Sequence, residues 1–152
     1  MSVLAPPPLP DTSLCIPDLR TRSRDSVLGE IAARLGDAVR DPALLRESLL
    51  RREKYASTDL GRGIALPNVR SLAVSALRCV LARSTKGVTW ADERSPVHLV
   101  CAVISPAEWS EEMHHDVLVR VTAPLRLQRP RQKLADAEDA AALLALWREL
   151  VA

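Results

Sequence analysis

The eight residues Val97-His98-Leu99-Val100-Cys101-Ala102-Val103-Ile104 carry a single polar side chain. A strand with one wet face alternates apolar and polar residues, so a nearly unbroken apolar run of this length implies a strand covered on both faces. That requirement favours a sheet lying between layers of helices.

The flanking sequence supplies those helices. Val27, Leu28, Ile31, Ala32 and Leu35 recur at helical spacing behind Ser23, a residue type suited to an N-cap. Asp41-Pro42 opens a second helix, with Leu45, Leu49 and Arg52 on one face. From Ser110 onward Val117, Leu118, Val121 and Leu125 form a third stripe, interrupted by Pro124 and Pro130, and Pro130 is expected to open a short helix. Leu143, Leu144, Trp147, Leu150 and Val151 mark a terminal helix with Asp136 as its expected cap. Further strands are expected at Ser13 to Ile16 and at Leu77 to Ala82. Ser57 to Val69, broken by Gly61, Gly63 and Pro67 around Ile64-Ala65-Leu66, reads as a loop, a brief strand and another loop. The order of strand, two helices, strands and three helices gives an α/β sandwich.

A chain of 152 residues suits one buried core better than two. Residues 1–10, with four prolines after Ala5, are expected to form a loose lead-in, and residues 11–152 the domain. The net charge of +2 comes from 21 basic and 19 acidic residues spread along the chain, and no Phe is present, so neither a basic footprint nor a stacking platform for nucleic acid exists. No apolar run reaches membrane-spanning length, and Met1 to Pro10 lacks the pattern of a signal peptide, which implies no membrane insertion and a cytoplasmic location. Cys15, Cys79 and Cys101 are odd in number, far apart and set in apolar surroundings, so they are expected as buried reduced thiols. No metal site or cofactor is implied.

Arg52 to Asn68 reads R-E-K-Y-A-S-T-D-L-G-R-G-I-A-L-P-N. With its Arg-Glu pair, Ser57-Thr58, Gly61-x-Gly63 and the aliphatic-Ala-aliphatic run up to Pro67, this segment resembles the signature of type-2 IIA domains of the phosphotransferase system (PTS), the fructose, mannitol and nitrogen-regulatory (PtsN-like) group. Pro96 to Val100 looks like that family's central strand, and Glu111-Glu112-Met113-His114 like the helix start carrying its second histidine. The resemblance implies a single-domain three-layer α/β/α sandwich with a mixed central sheet. It also implies that Asn68 stands where the family keeps its phosphorylated histidine, followed by Val69 where relatives often have glycine.

Family members take a phosphoryl group from an HPr-like or NPr-like phosphocarrier and pass it to a IIB-like partner. The nucleophile must be an imidazole lone pair, which the delocalised amide nitrogen of Asn68 does not offer. Arg52 and His114 are the groups the resemblance assigns to stabilising transferred charge. Local chemistry also gives plainer roles: Arg52 pairing with a carboxylate such as Glu47, Ser57 and Thr58 closing the loop through backbone bonds, and Gly61 and Gly63 adopting conformations side chains forbid. His98 reads as a core or sheet-edge histidine, and adjacent His114 and His115 point about 100° apart on a helix, so His114 alone is assigned to the site.

Three functions follow. The first is a regulatory module, unable to be phosphorylated at position 68, that acts by contact on a phosphocarrier, a IIB-like domain, or a regulated transporter or sensor. The second is a working phosphocarrier with His114 as acceptor, and the third a small-anion sensor built from Arg52, His114 and loop amides. Leu60, Leu66, Val69 and Leu72 are candidates for the apolar rim that receives a partner.

Overall fold

The computed structural model describes residues 14–91 and 94–151. The expected lead-in at residues 1–10 and the start of the first strand at Ser13 lie outside the described residues. In chain order the elements are β1 (Cys15–Ile16), α1 (Arg24–Leu35), α2 (Pro42–Tyr55), β2 (Asp59–Gly61), β3 (Ile64–Ala65), β4 (Asn68–Ser71), β5 (Arg78–Val88), β6 (Val97–Pro106), α3 (Glu111–Leu125), α4 (Gln128–Asp136) and α5 (Ala140–Val151), with one turn of 3-10 helix at Gly36–Ala38.

β6 is the centre of a mixed sheet ordered β1-β5-β6-β3-β2, in which β4 also pairs with β6. β5 and β6 run antiparallel, while β3 and β4 lie parallel to β6, β3 beside Leu99 and Val100 and β4 beside Val103 to Pro106. Every residue of β6 except His98 is buried, the result its apolar run demands. The two faces separate by strand alternation. Val80, Ala82, Val100, Ala102 and Ile104 join Val27, Leu28, Ile31, Leu45 and Leu49 of α1 and α2 in one core. Cys79, Leu81, Leu99, Cys101 and Val103 join Val117, Val121, Leu134, Leu143 and Trp147 of α3, α4 and α5 in the other. This is the three-layer α/β/α sandwich expected.

The caps show why the helices start where they do. The side chains of Ser23, Asp41 and Ser110 accept from the backbone N–H of Ser26, Leu44 and Met113, respectively. Asp136 does not cap the last helix: it ends α4 and accepts from Gln132 Nε2 at 3.0 Å, while Asp139 Oδ1 accepts from Ala142 N at 2.8 Å. α4 begins two residues before Pro130, and α3 continues through Pro124 to Leu125. Pro124 falls in the last turn, where it forgoes one i→i−4 bond but leaves the preceding turns of the helix intact.

Two strand expectations also change. The stretch after Pro67 is not a loop, because Asn68–Ser71 pairs in parallel with Val103–Pro106. β5 runs on beyond Ala82 to Val88, past a register irregularity between Arg83 and Val88. All three cysteines are buried outside any disulfide, and burial pushes Cys79 up to about 12 and raises Cys101 well above its ordinary range.

Candidate functional site

β4 and β6 bring the site together. Their register sets Asn68 opposite Val103 and Arg70 opposite Ser105. Asn68 and Arg70, two apart on β4, share a strand face, and Ser105 continues the face of β6 that carries Cys101 and Val103 toward α3. The Ser110 cap fixes the first turn of α3, which places His114 over that face.

The His114 ring is held at both nitrogens: Nδ1 lies 2.7 Å from Ser105 Oγ, and Nε2 lies 3.0 Å from Asn68 Oδ1. Asn68 Nδ2 in turn donates to Leu66 O at 2.8 Å. With Asn68 so oriented, its Oδ1 can only accept, so Nε2 carries the hydrogen and the neutral ring keeps its lone pair on Nδ1, where the Ser105 hydroxyl donates to it. Arg52, Val69, Arg70, Glu111, Glu112 and His115 line the rest of an open pocket of about 820 Å³.

The two arginines are anchored by backbone oxygens. Arg52 Nη1 donates to Ala56 O at 2.7 Å, and Arg70 Nη1 donates to Trp109 O at 2.7 Å. The expected Arg52–Glu47 pair is not formed, because Glu47 bonds Arg51 at 3.0 Å. Arg70 also stands 3.5 Å from Glu111, whose side chain is 90% exposed, so that pair neutralises little of its charge. The pocket can therefore receive an anion.

Partial burial first, then the charges of Arg70, Arg52 and His115, lower the pKa of His114 below the ordinary 6.5. The unfolded chain then binds more protons in the interval between the lowered value and 6.5, so stability rises with pH there and falls as the solution is acidified. In an NMR titration His114 should show its midpoint below 6.5, and His114→Ala should remove its share of the acid sensitivity.

Of the residues singled out in the sequence, Asn68, Arg52 and His114 meet in this pocket. Ser57, Thr58, Gly61, Gly63 and Pro67 are not among its lining residues and shape the chain leading to it. Ser57 Oγ accepts from Asp59 N at 3.1 Å, Thr58 bonds Glu53 through both N and Oγ1, and Pro67 O accepts from Val103 N at 2.9 Å. Gly61 and Gly63 have φ of 81° and 80°, the left-handed region glycine tolerates. Leu60 and Leu72 are 51% and 70% exposed, but Leu66 packs inward. His98 is exposed on β6 rather than in the core, with Nδ1 2.9 Å from Ser84 O. Arg70 and Ser105 were not identified from sequence. Only the β4–β6 register, between segments far apart in the chain, makes them neighbours.

The chain belongs to the EIIA 2 family of the phosphoenolpyruvate-dependent sugar phosphotransferase system, whose family model matches residues 11–149. It is 35% identical over 109 residues to the PTS system fructose-specific EIIA component of Haloferax volcanii, covering 71% of this chain and 68% of that protein. To the nitrogen regulatory protein of Bradyrhizobium diazoefficiens it is 28% identical over 130 residues, 84% of each chain. It spans only 20% of the length of the fructose-specific EIIABC component of Bacillus subtilis. The crystal structure of nitrogen regulatory protein IIA-Ntr from Neisseria meningitidis has the same fold, with a TM-score of 0.82 at 24% identity over 90% of this chain and 94% of that one.

Proposed function

We propose that this domain is a regulatory IIA-like module of the nitrogen-regulatory type that recognises a phosphocarrier or IIB-like partner, or a regulated transporter or sensor, without being phosphorylated at position 68. The motif resemblance puts Asn68 in the place of the phosphorylated histidine, and an amide nitrogen is not a nucleophile toward phosphorus. Arg52, Arg70 and His114 keep the pocket suited to an anionic or phosphorylated surface.

The observation that carries this reading over a phosphocarrier using His114 is the double tether on that ring. Its Nε2 is protonated against Asn68, and its Nδ1 lone pair is occupied by Ser105 and half-buried. An attacking nitrogen needs an unencumbered lone pair in line with the donor phosphorus.

Incubation with phosphoenolpyruvate, enzyme I and the host's HPr-like carrier should leave the wild-type chain without an acid-labile phosphate, read by intact mass. A stoichiometric mass shift that disappears in His114→Ala would overturn the regulatory reading.

A further inference from the structure

A second cavity, of about 380 Å³, shares no lining residue with the His114 pocket. Its charged lining has one sign: Arg62, Arg83 and Arg131, with His98 beside them and no Asp or Glu. Each guanidinium is fixed by backbone oxygens. Arg62 Nη1 donates to Arg126 O at 2.9 Å and Arg131 Nη1 to Leu125 O at 2.9 Å. Arg83 donates through Nε to Pro17 O at 2.9 Å, and through Nη1 to Leu134 O at 2.9 Å, Ala135 O at 3.3 Å and Ala137 O.

Those carbonyls lie at or just beyond the C-terminal ends of α3 and α4 and at Pro17, so helix-end anchoring explains part of the arrangement. It does not explain three fixed cations around one hollow. The carboxylates bonded to lining side chains are taken by neutral groups, Asp136 by Gln132 and Asp18 by Thr85, and neither lines the cavity. Arg83 is only 7% exposed, yet no fully buried side-chain nitrogen among the described residues lacks a partner. Its Nη2 has no acceptor among the described residues and so reaches accessible space, and Arg83 is among the residues that line this cavity.

His98 adds a directed atom. Because Ser84 O can only accept, His98 Nδ1 carries a hydrogen, which leaves Nε2 open. The ring fits beside two glycines with positive φ: a Cβ at Gly87 would stand 3.1 Å from Cε1 and 3.5 Å from Nε2, and one at Gly63 would stand 3.7 Å from Cδ2. Ile64, Leu99 and Ala135 give the cavity an apolar wall. A volume of this size suits a small metabolite.

The geometry points to a binding site for a small phosphate monoester, its phosphate held by Arg62, Arg83 and Arg131 and its carbon skeleton against Ile64, Leu99 and Ala135. The site is independent of Asn68 and of the role proposed for it.

The test is an NMR titration of the full chain with inorganic phosphate and, separately, glycerol 3-phosphate, at ionic strength held constant with sodium chloride. Saturable shifts are expected at residues 62–64, 83–85, 98–99 and 128–135 and not at His114, with glycerol 3-phosphate the tighter ligand. Arg131→Ala should weaken binding by roughly tenfold or more, through loss of a charge-assisted contact. Since that change also frees Leu125 O, Gln128→Glu is the second variant: residue 128 is exposed at the first position of α4, where a carboxylate suits the helix dipole while repelling the ligand. It should weaken binding by about tenfold with the fold intact. Shifts that never saturate, shifts centred on Arg52, Arg70 and His114, or binding undiminished in Gln128→Glu would each overturn the site. Equal affinity for the two probes would overturn the monoester assignment.

Discussion

Asn68→His should yield a chain that carries about one acid-labile phosphoryl group when incubated with phosphoenolpyruvate, enzyme I and the HPr-like carrier, against none expected for the wild type. The local bonds favour the result. Asn68 Nδ2 donates to Leu66 O at 2.8 Å, and a histidine in the same rotamer places Nδ1 near that position, so its Nδ1–H has an acceptor waiting. That bond leaves the lone pair on Nε2, farther into the pocket that Arg52 and Arg70 line. His114, deprived of the Asn68 oxygen that its Nε2–H now meets at 3.0 Å, becomes free to donate to the transferred group. Residue 68 is 9% exposed, so the larger ring needs Val69 and its neighbours to give a little, and a melting curve should accompany the assay. If Asn68→His folds, binds the carrier and stays unphosphorylated, a histidine at position 68 is not sufficient for phosphoryl uptake in this pocket.

The contrast between Asn68 and Arg70 shows how far the sequence reaches. Asn68 was identifiable because its signature is local: glycines, proline and aliphatic residues keep fixed spacing within one short stretch. The caps Ser23, Asp41 and Ser110 were legible for the same reason, since an N-cap acts on amides two or three residues away. Arg70 and Ser105 belong to the site through a parallel pairing across 35 residues of chain, as the register Arg70↔Ser105 shows. Periodicity carries no information about such a partner. β4 itself is not legible in the sequence because it is short, starts directly after Pro67 and takes its bonds from β6, whose apolar run announces burial on both faces without naming its neighbours. Asp136 and Asp139 are both of the cap-forming type and lie only three apart, and the end of α4 decides between them.

Glu53→Ala should be the most damaging single change outside the helical cores, costing about 2–6 kcal/mol, the sum for two buried donors left without an acceptor. Glu53 lies in the last turn of α2 at 3% exposure, and three donors satisfy it. Thr58 N donates to Oε2 at 2.9 Å, Trp90 Nε1 donates to Oε1 at 2.8 Å, and the Thr58 hydroxyl donates to the same Oε1. The hydroxyl can rotate to another acceptor once the carboxyl is gone, but the Thr58 amide and the indole N–H cannot. A loss of this size is a substantial fraction of the about 5–15 kcal/mol that stabilises an ordinary domain. Glu53→Gln should fall between wild type and alanine, because the amide oxygen can still accept from Trp90 and the Thr58 hydroxyl while its NH₂ faces the Thr58 N–H. Denaturant unfolding followed by tryptophan fluorescence measures all three, with unchanged slope expected if the fold is retained. The consequence extends to the site, because Thr58 O accepts from Leu66 N at 3.0 Å and so ties the end of α2 to the strand that runs into Asn68. Glu53→Ala in an Asn68→His background should therefore reduce phosphoryl uptake even below its melting temperature, and an alanine variant losing less than about 1 kcal/mol would show that the Thr58–Trp90 contacts do not hold this corner together.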